Sequence, residues 1–318
     1  MALLLGIDLG GTNVRAAAVD ASTGAVVASH KEAHGDRSPD AVAGSAARAV
    51  REAAAAAGVP VPAAVGAGVA GQCLGATGLV LNAPNLGWRD VPFGDLLSRA
   101  LSARVRVLND LSAAALGEQR FGAARGVEDA VLFFAGTGVG SGLILGGRLH
   151  EGAGGVAGEV GHVKVRPRPG MPERRCNCGQ VSCLEAYAGG DAIAARAREE
   201  ISRGGARRVL DLAGGDPSRV RPSHVEEASA AGDAWAAALW DEVGELLGDA
   251  AANLATVLDP ARLVLGGGVL LSCPRLEERV RSRIAARVSA SAARDLAVVR
   301  AALGDDAGVV GAALLAPA

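Results

Sequence analysis

Apolar positions in this chain fall into short runs that stop at glycine, asparagine or aspartate. Residues 3–8 form one such run, closed by Gly-Gly-Thr; residues 14–20 form a second, and after the Ser22-Thr23-Gly24 turn residues 26–32 form a third. That spacing predicts a first strand followed by antiparallel hairpins. The apolar period lengthens over 39–57 and predicts a helix, with Ser38 as its cap and Pro39 at its first position. Residues 64–69 and 105–108 are unbroken apolar runs of the kind that buried strands show, and helices are expected over 93–101 and 112–121.

The second half restarts the same programme. Residues 130–135 predict a strand, 136–142 a glycine-rich turn and 143–149 the returning strand. A long helix is expected over 233–258, with Trp235, Leu239, Val243, Leu246 and Leu247 on one stripe and Glu242, Glu245 and Asp249 on another. Strands are expected at 262–265 and 297–300 and a last helix at 306–315, while 204–223, rich in Arg, Gly and Pro, reads as a surface connection. Strands followed by alternating strands and helices in each half indicate a duplicated α/β fold. The expected division is a small lobe over 1–114, onto which a C-terminal helix in 301–318 packs back, and a large lobe over 115–300.

Composition narrows the function. Half of the 318 residues are hydrophobic and 21% are charged, which suits a well-packed chain. A formal charge of -2 supplies no field for nucleic acid or an anionic membrane. Only Lys31 and Lys164 are lysines, a skew toward arginine that reads as genomic composition. Residues 130–147 carry no charge but hold six glycines, which suits two strands and a turn rather than a membrane helix. The N-terminus lacks a basic region ahead of Asp8, and five cysteines fit a reducing compartment, so the cytoplasm is expected.

Chemistry concentrates between residues 159 and 185. His162, Cys176, Cys178 and Cys183 have the spacing of a closed tetrahedral site, and one imidazole with three thiolates is the ligand set of a structural Zn²⁺. Glu159 and Glu185 flank that cluster, so two carboxylates are pinned beside it and a polar ligand is expected there. Cys73 and Cys273, among apolar neighbours, read as core.

Two turns, Gly10-Gly11-Thr12 and Thr137-Gly138 with Gly140, offer successive backbone N–H groups as anion cradles. Neither is a Walker A loop or a dinucleotide fingerprint. Asp8, at the end of the first strand, is placed to orient a hydrated Mg²⁺.

Taken in order, Asp8-Leu9-Gly10-Gly11-Thr12, Asn82-Ala83-Pro84-Asn85-Leu86-Gly87-Trp88, Asn109-Asp110, Gly136-Thr137-Gly138-Val139-Gly140-Ser141-Gly142, Gly158-Glu159-Val160-Gly161-His162 and Cys176-x-Cys178-Gly179-x3-Cys183-Leu184-Glu185 resemble the signatures of the ROK family of sugar kinases, above all its bacterial glucokinases. The resemblance implies a two-lobed, actin-like ATPase fold of the duplicated ribonuclease H type with an interlobe cleft, ATP and Mg²⁺ as cofactors, and a homodimer. It gives Asp110 the part of general base toward the 6-hydroxyl of glucose. Asn82, Asn109 and Asp110 match the positions that bind the sugar near the reacting carbon, and Glu159, His162 and Glu185 those at the reducing end. Gly267 and Gly268 match the turn against the adenosine. Fructose, N-acetylmannosamine or N-acetylglucosamine is the alternative substrate, and a sugar-responsive repressor is a distant second class, since no DNA-binding segment precedes Asp8. One position departs from the pattern: Ser182 stands where the family usually has Gly, which would strain the loop if that position needs φ > 0.

Overall fold

The computed structural model describes residues 2–166 and 171–316; residues 167–170, inside the expected metal-bearing region, and 317–318, at the end of the expected C-terminal segment, lie outside them. By internal contacts the chain divides into two compact units. The first holds residues 1–130, 142–158 and 301–318, and the second 131–141 and 159–300.

The first unit opens with β1 (Leu3–Leu9), β2 (Asn13–Asp20) and β3 (Val26–Ala33), then α1 (Pro39–Ala56) and β4 (Ala64–Val69). A hairpin sheet follows, β5 (Gln72–Leu74), β6 (Leu79–Ala83) and β7 (Trp88–Val91), and then α2 (Phe93–Leu101), β8 (Arg104–Asn109) and α3 (Asp110–Phe121). The main sheet runs β3-β2-β1-β4-β8, antiparallel through its first three strands and parallel from β1 to β8.

Strand period explains the layering. On β2, Val14, Ala16 and Ala18 join the core with Val42, Val50, Phe93 and Leu97 of α1 and α2, while the alternate Ala17 and Val19 pack with Val309, Val310 and Ala313 on the opposite face. Each such Val or Leu contributes about 1.5–3 kcal/mol on burial. A Cβ on Gly66 would collide with the backbone of Ala312, so glycine there lets the last helix lie directly on β4.

The remaining elements are β9 (Ala130–Ala135), β10 (Val139–Leu145), β11 (Arg148–Leu149), α4 (Glu185–Ala188), α5 (Gly190–Ser202), α6 (Arg207–Leu212), α7 (Pro222–Ala230), α8 (Ala234–Leu258), β12 (Arg262–Gly266), α9 (Gly268–Ser272), α10 (Pro274–Arg287), β13 (Ala297–Arg300) and α11 (Ala307–Ala313). The second sheet runs β11-β10-β9-β12-β13, the same third-second-first-fourth-fifth order as the first sheet. The duplication read from the sequence is therefore present in the strand order.

Several local expectations change. Ser38 occupies the cap position of α1 but its side chain makes no capping bond; its hydroxyl donates to Asp36 at 3.0 Å instead. The segment 204–223 holds α6 and the start of α7, anchored by buried Val209 and Val220. The turn after β9 is short, because β10 begins at Val139 and so includes Gly140, Ser141 and Gly142. On α8, Trp240 rather than Trp235 is the buried tryptophan, its indole N–H donating to Glu226 at 2.6 Å.

Candidate active site and metal centre

In the first unit the β1–β2 turn carries Gly10, Gly11 and Thr12. It is closed by the Gly10 N–H donating to the Asn13 carbonyl at 3.0 Å and is held from outside by the His34 N–H donating to Thr12 at 3.1 Å. Gly11 lies so close to Asn85 that a Cβ would come within 2.6 Å of that side chain. Asp8, at the end of β1, is raised from its ordinary pKa by burial, against the lowering pull of Arg15 and Lys31. Its carboxylate faces Gly308 at the start of α11.

Asn109 and Asp110 stand where β8 gives way to α3. Asn109 is the helix cap, its Oδ1 accepting from the N–H groups of Leu111 at 2.9 Å and Ser112 at 3.1 Å, while its Nδ2 donates to Gly71 at 3.0 Å. The capping task thus falls to Asn109, and Asp110 is the first helical residue, with Oδ1 accepting from Leu111 at 2.9 Å. Asn82 sits on β6 opposite Arg89 and Gln72, half-buried. Its hairpin is tied down by Trp88, whose indole N–H donates to Arg37 at 2.7 Å and whose ring meets Phe93 at 5.0 Å.

In the second unit, His162, Cys176, Cys178 and Cys183 bring one ligand atom each to within 4.8 Å of one another. Cys176 Sγ is 3.7 Å from His162 Nδ1, and Cys178 Sγ is 3.7 Å from Cys183 Sγ. With Zn–S bonds of about 2.3 Å, a tetrahedron has S–S edges of about 3.8 Å, so the set fits a structural zinc. A miniature hairpin makes this possible, with Arg175 bridged to Val181 and Lys164 to Cys183. Burial pushes the Cys176 thiol up to about 12. Burial also opposes ionisation of Cys178, but hydrogen bonds from Gln180 and its thiol neighbours hold it below its ordinary value.

His162 uses both ring nitrogens. Nδ1 faces Cys176 and Nε2 lies 3.4 Å from Glu159 Oε2. Glu185, at the start of α4, reaches in two directions: Oε2 accepts from the Val139 N–H at 3.0 Å and Oε1 lies 3.9 Å from Cys176 Sγ. A Cβ on Gly138 would collide with that carboxylate, so a side chain there would displace Glu185 from its bond to Val139. The Gly136 and Thr137 carbonyls accept from the Gly190 and Asp191 N–H groups at 2.9 and 3.2 Å, so α5 backs the turn. The Gly267–Gly268 turn stands beside it, with Gly267 at φ 88° and a Cβ there blocked by the backbone of Ala135. Thr137, Gly138, Gly267 and Gly268 are thus brought together, whereas Gly140 lies within β10.

Two supports went unread in the sequence. Lys164 donates to Cys183 Sγ at 3.2 Å and to the Val181 carbonyl at 2.8 Å, placing a cation on the thiolate cluster; its being one of two lysines was the available signal. The chain's single tyrosine, Tyr187, accepts from the Arg174 N–H at 3.0 Å, and Arg174 in turn forms a forked pair with Glu199 at 3.0 and 2.6 Å.

The model of the ROK family matches residues 4–318. The chain belongs to the ROK family. A glucokinase of Streptomyces coelicolor is 33% identical over 319 residues, covering 99% of this chain and 98% of the relative. A glucokinase of Halalkalibacterium halodurans is 37% identical over 247 residues, covering 78% of this chain and 74% of the relative. Among solved structures, a ROK family glucokinase from Streptomyces griseus in complex with glucose and AMPPNP has a TM-score of 0.82 at 35% identity, covering 99% of each chain. ROK kinases of this kind have the actin-like ATPase fold, consistent with the repeated strand order of the two sheets here.

Proposed function

We propose that this ROK protein is a glucokinase, transferring the γ-phosphoryl group of ATP to the 6-hydroxyl of glucose. The observation that carries the reading is likeness along the whole chain to a glucokinase solved with glucose and an ATP analogue. In the reaction the sugar oxygen bonds to the γ-phosphorus, the bond to the ADP oxygen breaks, and the hydroxyl proton passes to Asp110. Asn82, Asn109 and Asp110 would meet the sugar near its reacting carbon, and Glu159, His162 and Glu185 at its reducing end. Asn109, whose side chain caps α3 and bonds Gly71, would also fix the direction of Asp110.

Asp8 would hold the hydrated Mg²⁺, which neutralises charge on the transferring phosphates, with Gly10–Thr12 beside it. Thr137 and Gly138 with Gly267 and Gly268 would take the remainder of the nucleotide, and His162 with the three cysteines would hold zinc. A homodimer in the cytoplasm, as likeness to ROK glucokinases along the whole chain implies, completes the reading. Light scattering of the purified protein checks the dimer.

The test is ADP release by the purified protein with glucose, fructose, N-acetylmannosamine and N-acetylglucosamine, expected to be fastest with glucose. Asp110→Asn is expected to lower kcat by about a thousandfold while glucose still binds in calorimetry. Release that no sugar stimulates would end the kinase reading; a variant with normal kcat would remove Asp110 from its role.

A further inference from the structure

His34 lies in the connection between β3 and α1 and is only 5% exposed. Its ring Nε2 is 3.0 Å from the Gly10 carbonyl, and its backbone N–H donates to Thr12 at 3.1 Å. Gly10 O can only accept, so the ring proton is assigned to Nε2. Nδ1 is buried and has no hydrogen-bond partner among the described residues. Burying an unpaired nitrogen is unfavourable, and an apolar side chain of similar size would avoid that cost, so packing alone does not account for a histidine here.

His34 holds one turn at two points, its ring at the Gly10 carbonyl and its backbone N–H at the Thr12 carbonyl. Asn85 abuts Gly11 from the hairpin that also carries Asn82. Trp88 of the same hairpin bonds the Arg37 carbonyl, three residues after His34. The turn is therefore gripped between a connection and a hairpin that are themselves bonded together, and the His34 side chain joins the turn to the connection.

We propose that His34 is a positioning residue for phosphoryl transfer, fixing the Gly10–Thr12 turn so that its N–H groups meet the donor phosphates. This rests on the reading of that turn as the phosphate cradle.

The test uses the full chain with His34→Leu, His34→Gln and Thr12→Val. His34→Leu is expected to raise the KM for ATP about five- to tenfold, the range one hydrogen bond supports, while the KM for glucose stays within about twofold of the parent. His34→Gln, whose amide N–H can reach the same carbonyl, is expected to bring the KM for ATP back to within about twofold of the parent. Thr12→Val removes the hydroxyl that stands beside those N–H groups as a further donor to the same phosphates, so it tests the cradle without touching His34 and is expected to raise the KM for ATP. If Thr12→Val raises it and His34→Leu does not, the inference falls and the cradle stands; if neither does, both fall. A parallel rise in both KM values with a lowered thermal midpoint would make His34 a packing residue and overturn the inference. Should His34→Leu fail to fold, His34→Asn, too short to reach Gly10, replaces it, and equal KM values for the Asn and Gln variants would count against the proposal.

Discussion

At the scale of single residues, Ser182 has φ 58°, a left-handed conformation that costs a non-glycine residue about 1 kcal/mol or more. The sequence left two outcomes for this substitution, and the backbone decides for the strained one. Its hydroxyl donates to Glu173 at 3.2 Å across an exposed surface, which offsets little of that cost. Ser182→Gly is therefore expected to stabilise the metal loop by about 1 kcal/mol, read as slower zinc loss to a chelator and a higher thermal midpoint. Asp20 is the second case. The Ser22 hydroxyl, then the N–H groups of Thr23 and Ser22, lower its pKa to about 2. A carboxyl depressed on folding contributes stability that is present above its unfolded value of about 3.9 and is lost as pH falls toward 2. Urea midpoints of the parent and Asp20→Asn should differ at pH 6 and converge as pH approaches 2; a gap that stays constant would mean that the turn does not depend on the charge.

At the scale of elements, Glu118 shows what a pattern of hydrophobic positions does not reveal. It is fully buried on α3 and accepts N–H groups from Ala123 at 2.6 Å, Ala302 at 3.1 Å and Leu303 at 2.8 Å. One carboxylate thus ties the end of α3 to the turn that follows it and to the approach to α11, which packs along α3 in the same unit. Glu118→Ala would leave three donors without that acceptor, and a loss of about 3 kcal/mol or more in urea unfolding is expected. Residues 64–69 and 130–135 were legible as unbroken apolar runs and 93–101 by its helical spacing, and all three run as expected. The sheet of β5, β6 and β7 was not, because strands of three to five residues give no period to read. The helices α6 and α7 were hidden by the Arg, Gly and Pro around them, although Val209 and Val225 anchor both.

For the molecule as a whole, the cluster of His162 with three cysteines and its flanking glutamates was legible because it lies within one short stretch, whereas the bonds that fix it cross between elements. Glu185 to Val139 and Arg174 to Glu199 depend on how strands and helices pack, which spacing does not encode. These bonds also bear on what a bound metal would do. Three sulfurs and an imidazole crowd within 4.8 Å, Lys164 supplies one positive charge, and burial raises the Cys176 thiol to about 12, so a metal cation would be needed to hold Cys176 as a thiolate. His162 and Glu185 both touch the cluster, and Glu159 reaches it through His162. Losing the metal should therefore loosen all three proposed sugar contacts together, while leaving Gly10–Thr12 and Asp110, in the other compact unit, in place. A strong chelator in excess Mg²⁺ is expected to release about one zinc per chain, lower the thermal midpoint and raise the KM for glucose more than the KM for ATP, with zinc restoring all three. Release of zinc with an unchanged KM for glucose would separate the metal from the sugar site; no zinc to release would remove the metal itself.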